Sequence, residues 1–414
     1  MRSARRAGLG FGPVALVVVA LVATLVVTLI PRAALAQRTP VTSRDYALEF
    51  HQGPIVGGAR MIGMGGATVA VGEGAVGVPR NPAAAAVRAQ ASRGTWDWDW
   101  NVDWLSARPG GDDLDNNGDD SASIKDTLSL TAGIVIQWHA WAFAISGEVQ
   151  QYTVALDGSA DDGEPSVALT HAVVARSFAC DQVSVGLGVR GGNFTMARKP
   201  AGSDESQELL AMQGAGLEAG VVWRPAPVDV RLGASFAAPL TSIGGAIAPG
   251  DYRPEDYGGY ILPERLLVPW ELALGGGYRF GASRWNRRVA GDFRDERSLT
   301  VAADVLVTGA SSGASGVEAF IDKELEPTGR SATLSVRGGV EVEAIPGWLR
   351  LRGGSYFEPS RFSGVSGRVH GTAGLEARLF SFCLWGSPYR ARASVTVDVA
   401  RRYDNLGRSV GFWH

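Results

Sequence analysis

The sequence predicts an all-β protein: a transmembrane antiparallel β-barrel of about fourteen strands with its amino-terminal segment inside the lumen as a hatch. Three observations lead there. Apolar and polar residues alternate with period two along most of the chain. The links between the alternating segments are by turns long and short. The one apolar run long enough to cross a bilayer as a helix stands at the N-terminus, laid out as a secretory leader.

The leader comes first in the chain. Arg2, Arg5 and Arg6 precede the apolar run Val14 to Ile30, and Pro31 and Ala34-Leu35-Ala36 follow it. This is a basic region, an apolar region and a small-residue cleavage site, so residues 1–36 read as a signal peptide, an uncleaved anchor helix being the other reading. The leader takes four arginines (Arg2, Arg5, Arg6, Arg32) and no acid, so its removal moves the formal charge from −3 to −7. An acidic exported chain is poorly suited to nucleic acid, and no such partner is expected. With 45% hydrophobic and 20% charged residues and 2 cysteines in 414, the chain is neither disordered, coiled-coil, collagenous nor disulfide-built.

The barrel is expected over 93–414. Its clearest strand is Trp96-Asp97-Trp98-Asp99-Trp100-Asn101-Val102-Asp103-Trp104, apolar at every even position and polar at every odd one. Four tryptophans in nine residues suit a lipid-facing surface better than a sandwich core. Strands are expected near 94–106, 128–138, 141–156, 166–178, 182–195, 211–224, 228–237, 267–280, 298–309, 332–344, 348–357, 367–380, 390–402 and 408–413. Long links (107–127, 157–165, 196–210, 238–266, 310–331, 358–366) alternate with very short ones (139–140, 179–181, 225–227, 345–347). That is the asymmetry of surface loops and periplasmic turns, and its phase puts the N-terminus on the periplasmic side of a bacterial outer membrane. Two links depart from it: 281–297 is long on the short side and 403–407 short on the long side.

Residues 37–92 lack strand alternation and are rich in Gly and Ala, which allow close backbone approach in a confined space; Met61, Ile62, Met64, Val69 and Val71 are too apolar for a solvated linker. The stretch carries Gly63-Met64-Gly65-Gly66-Ala67, Gly72-Glu73-Gly74-Ala75 and Arg80-Asn81-Pro82-Ala83. With Gly214 to Pro225, Leu272 to Phe280 and Leu349 to Ser360, these motifs resemble the FadL/TodX-like outer-membrane transporters of long-chain fatty acids and hydrophobic aromatics. The chain departs from that family at its end, where His414 follows Phe412 and Trp413. The resemblance implies a fourteen-stranded barrel plugged by a hatch (37–92), a hydrophobic ligand, and passive passage with a lateral window at a kinked third strand. It also implies contact with outer-membrane lipid and with the barrel assembly machinery, and no enzymatic role. Phe50, Met61, Ile62, Met64, Arg80, Asn81, Pro82 and Ala83 are then the hatch and ligand path. The alternative from another class is a PorV-type structural or secretion-partner barrel sharing the Asn-Pro-Ala hatch; an outer-membrane lipase lacks a credible triad.

Within 141–156 the apolar residues are odd (Trp141, Phe143, Ile145, Val149) and then, past Gln150-Gln151, even (Tyr152, Val154, Leu156). Either a β-bulge near Gly147, Gln150 and Gln151, the candidate lateral gate, or a strand running into its loop explains this. Asp113-Leu114-Asp115-Asn116-Asn117-Gly118-Asp119 fits the opening of a calcium loop with ligands Asp113, Asp115, Asn117 and Asp119, but Ile124 stands where the bidentate Glu belongs. A structural calcium or a plainly acidic loop are both open; no other cofactor is expected. Gly186 to Gly191 matches G-x-G-x-x-G inside a strand, and Gly309 to Gly313 matches G-x-S-x-G without a strand-turn-helix, so neither carries its chemistry. Cys180 and Cys383 fall in turns too far apart around the barrel for a disulfide.

Overall fold

The computed structural model describes residues 38–50, 53–107, 113–119, 124–156, 161–242, 253–257, 259–289, 292–311 and 313–413. The leader 1–36 and His414 lie outside the described residues. Fourteen strands form the wall: β1 (Trp96–Ala107), β2 (Ile124–Trp138), β3 (Trp141–Ala155), β4 (Asp162–Phe178), β5 (Val183–Lys199), β6 (Gln207–Trp223), β7 (Val230–Ala237), β8 (Glu271–Phe280), β9 (Leu299–Thr308), β10 (Thr333–Ile345), β11 (Leu349–Glu358), β12 (Arg368–Leu384), β13 (Ser387–Ala400) and β14 (Tyr403–Phe412). Each pairs antiparallel with its chain neighbours, and β14 closes on β1 from Asn405 opposite Ala107 to Gly411 opposite Asn101. No helix among the described residues is long and apolar enough to cross a membrane. Closure gives every wall strand a neighbour on both sides, so the backbone is satisfied within the ring along the paired lengths.

The period-two pattern sorts side chains as a barrel in lipid requires. Ile134, Ile136, Phe143, Ile145, Leu187 and Leu217 are exposed on the outside, while Asp99, Asn101, Asp103, Gln137 and Ser146 are buried in the lumen. Trp96, Trp138, Trp141, Trp223, Trp348 and Trp385 are exposed beside the short turns and form an aromatic girdle there.

Two details differ from the sequence expectation. The last two strands are longer and joined by the two-residue turn Arg401-Arg402, with Arg402 at φ 55°. The polar pair Asp404-Asn405 hid this strand start, because Asp404 puts a carboxylate on the outward face opposite Val399 and breaks the alternation there. The long link 281–298 folds as a lid over the short-turn end. Arg288 reaches Asp181 (2.9 Å), Arg390 holds Asp295 through two bonds (2.5 and 2.8 Å), and Asn286 donates to the carbonyls of Pro225, Val228 and Val230. Trp285 is buried beneath it against Arg231 (4.0 Å).

The amino-terminal segment does not begin at the short-turn end, although β1 does. Arg38 pairs with Asp322 (2.9 Å) and Glu326 (3.3 Å), and Thr39–Pro40 pairs with Glu324–Leu325, all in the long loop between β9 and β10. Ala47–Glu49 is then hydrogen-bonded in parallel on both edges, to Arg265–Val268 and to Ala314–Ser315. Past Phe50 the chain descends through the lumen to β1, so it runs the full height of the barrel.

Candidate functional site

The long-loop end of the lumen is apolar on the side of β4 to β6 and ionic on the side of β11 to β13, where Glu358, Arg368, His370 and Asp398 are buried and paired. On the apolar side the inward residues are Val167 of β4, Phe194 and Met196 of β5, Leu210 and Met212 of β6. Tyr46, Leu48 and Phe50 of the amino-terminal segment pack among them, with Tyr260, Leu262, Leu266 and Val268 from the β7–β8 connection and Phe320 from the short helix Val317–Ile321. Phe194 is central, tilted against Phe50 at 4.6 Å and edge-on to Phe320 at 6.4 Å. Such a chamber offers an apolar molecule dispersion contacts without competing polar groups.

Toward the short turns the lumen is charged. Glu341 receives Arg60 through two bonds (3.1 and 3.0 Å) and Arg352 Nε at 2.6 Å, Arg352 also faces Glu376 (2.9 Å), and Arg350 joins Glu343 to Glu376. These ions are matched in sign and tied into one network, which makes a polar, low-permeability filling for an apolar solute.

The expected hatch residues occupy this region. Met61, Ile62 and Met64 are fully buried, Met61 and Ile62 packing with Ile55, Leu105 and Tyr356. Asn81 donates to the carbonyls of Val69 (2.8 Å) and Val221 (3.1 Å) and accepts from Ala83 N–H (3.0 Å), capping the 3-10 turn Pro82–Ala86 against β6. This approach exists because β5 and β6 present glycines: a Cβ at Gly186 would strike Pro82, and one at Gly220 would strike Asn81. Arg80 Nε lies 3.0 Å from Met61 Sδ. Phe50 alone of the set sits in the apolar cluster.

Residues that sequence reasoning missed hold the segment's backbone. An irregular chain in a lumen lacks partners for its N–H groups, and wall carboxylates supply them: Asp103 for Ala59, Asp99 for Ala75 and Asp304 for Val69, each at 2.8 Å. The available signal was an acid on the wet face of an alternating strand.

Of the two readings of β3, a bulge at Gly147, Gln150 and Gln151 is not seen; the register slip beside β3 lies in β2, between Ile124 and Asp126. Ala142, Ala144, Ser146, Glu148, Gln150 and Val154 all face inward, and the register with β4 is the same on both sides of a two-residue skip, Tyr152-Thr153 opposite Glu164-Pro165. Gly147, Gln150 and Gln151 are paired on both sides. The change of apolar parity arises because the lumen itself turns from polar to apolar at that height, so Val154 points inward as legitimately as Phe143 points outward.

In the acidic loop the Asp113 carboxylate accepts Asn117 N–H (2.9 Å) and Gly118 N–H (3.0 Å), and Asn117 Oδ1 accepts Asp119 N–H (2.8 Å), so these oxygens shape the turn. Among the described residues no group of three or more His, Cys, Asp or Glu is arranged to hold a metal ion. Burial raises the Asp113 carboxyl, Arg368 opposing; burial and then Glu318, Asp113 and Glu326 raise Asp115 well above the usual carboxylate range. Ser311 accepts Arg361 Nη2 (3.2 Å), and both cysteines are free and exposed.

The sequence matches no protein-family model and no curated protein. Among solved structures, a Pseudomonas aeruginosa FadL homologue aligns with a TM-score of 0.52 at 14% identity, covering 89% of this chain and 98% of that one. The Ralstonia pickettii toluene transporter TbuX gives 0.51 at 12% identity (86% and 97%), and the CymD monoaromatic hydrocarbon channel 0.50 at 12% (86% and 96%). TbuX is described as a transporter and CymD as a channel. The chain has the FadL/TodX-like barrel fold.

Proposed function

We propose that this protein is a bacterial outer-membrane channel for passive uptake of small hydrophobic molecules, long-chain fatty acids or similar compounds. The carrying observation is an apolar cluster around Phe194 on the β4 to β6 side of the long-loop end, with a charged filling toward the short turns. Solute leaves water for the chamber because burying apolar surface is favourable, and no covalent step or cofactor is needed. The segment 38–92 acts as the hatch, with Phe50 occupying the place a ligand takes. The charged filling denies a straight path, so release is sideways into lipid. The leader 1–36 directs export, and the assembly machinery inserts the barrel. An apolar cluster inside the wall favours this reading over a scaffold, which needs an external surface. Uptake of radiolabelled toluene and oleate by cells expressing the protein, in a host lacking such a channel, tests it; uptake no faster than in cells without the protein sinks it.

A further inference from the structure

The wall carries a second interruption, more complete than the skip in β3. β7 and β8 pair up to Ala237 opposite Glu271, and the same hairpin resumes at Leu240 opposite Val268. Between them Ala238-Pro239 and Pro269-Trp270 belong to no strand, so each side of the hairpin places a proline, which has no N–H to give, at one height. On the other side the register with β6 slips by one residue between Glu218 opposite Ala237 and Ala215 opposite Thr241, and the Ala238 N–H donates to the Leu217 carbonyl (2.7 Å), so the missing bonds lie between β7 and β8. The Ala238 carbonyl is taken by the lumenal Arg190, Nη2 at 3.0 Å, in place of a neighbouring strand.

This break lies between chamber and lipid. Leu240 and Val268, immediately above it, belong to the apolar cluster. Leu240 rests on Gly192 and Gly214, where no side chain could fit beside it, which makes it a shutter seated on two glycines. Outside, Leu217 is 68% and Phe236 44% exposed, an apolar lip. Beneath, a pocket touches both Pro82 of the hatch and Phe236 of the outer surface, and is floored by Arg190 and the His171–Glu218 pair (2.9 Å). We infer that apolar solute leaves the chamber through the wall at this paired-proline break, with Leu240 as the gate. The inference rests on the transport reading above. Parting a closed barrel in lipid exposes backbone groups, and the cost is lowest where the ladder is already missing its bonds.

The test uses the full chain with Cys180→Ser and Cys383→Ser. Leu217→Cys with Ala238→Cys ties β6 to the break; Tyr152→Cys with Pro165→Cys ties the skip between β3 and β4. Toluene uptake is lost in the oxidised first pair, returns with dithiothreitol, and persists in the oxidised second pair. Leu240→Trp, wedged over Gly192 and Gly214, gives the same loss without oxidation, heat-modifiable migration on gels verifying a folded barrel. Full uptake by the oxidised first pair or by folded Leu240→Trp, or loss confined to the second pair, overturns the portal and leaves transport standing. No uptake by the cysteine-free parent overturns both.

Discussion

The rings of Phe50 and Phe194 lie 4.6 Å apart at an interplanar angle of 38°, one carried by the amino-terminal segment and the other by the wall. The contact fills the centre of the apolar chamber with the chain's own side chain.

Phe50→Ala therefore opens space where a ligand goes. Truncating a buried phenylalanine costs about 3 kcal/mol or more, so the melting temperature in detergent falls. An apolar dye such as N-phenyl-naphthylamine, titrated by fluorescence, binds the variant more tightly than the parent; equal or weaker binding shows that Phe50 does not stand in the ligand's place.

Asn81 is fully buried and makes three hydrogen bonds. Asn81→Ala loses the cap, worth about 1 kcal/mol, and strands two carbonyls, each at about 1–3 kcal/mol. The barrel wall stays intact while the hatch loosens, and planar-bilayer conductance rises. A variant as tight as the parent removes Asn81 from the hatch anchorage.

The lid is tied by Arg390 and Asp295, and hydrogen bonds from Arg390 hold the Asp295 carboxyl below its usual range. A carboxyl lowered by folding stabilises the lid above its unfolded value and stops doing so as pH falls through the lowered one. Conductance accordingly climbs on acidification, below about pH 4. Asp295→Asn shows the raised conductance at every pH. A parent whose conductance ignores acid contradicts this.

Asp115 runs the other way. Its carboxyl is raised by burial and by Glu318, Asp113 and Glu326, so the folded loop loses stability as pH rises from the unfolded value toward the raised one. Asp115→Asn melts higher than the parent at neutral pH and equally in acid. The same melts with added calcium test the loop as a cation site: a calcium-dependent gain in the parent, absent from the variant, assigns the ion to it, and no gain in either leaves an acidic turn alone.

The wall was legible in the sequence because lipid outside and polar filling inside impose opposite chemistry on successive residues, as Trp96 to Trp104 shows. The burial of the amino-terminal segment inside the wall was legible through glycine density and the apolar residues Met61, Ile62 and Met64. What the sequence hid depends on partners remote in the chain. Ala47–Glu49 is three residues long and becomes a strand only between Arg265–Val268 and Ala314–Ser315. Asp99, Asp103 and Asp304 look like any wet-face acids until the segment lies against them. In β3 the change of apolar parity left a bulge and a strand end both open, and neither reading allowed for a change in what the lumen contains.

The charged filling below the chamber also sets a length rule. Wetting each methylene costs roughly 0.8 kcal/mol, so driving a ten-carbon tail straight down the bore costs about 8 kcal/mol, close to a million-fold in rate. A single aromatic ring meets a far lower toll. Long tails are thus held to the sideways exit far more strictly than compact rings, and a cargo series of increasing carbon number reads out that strictness directly.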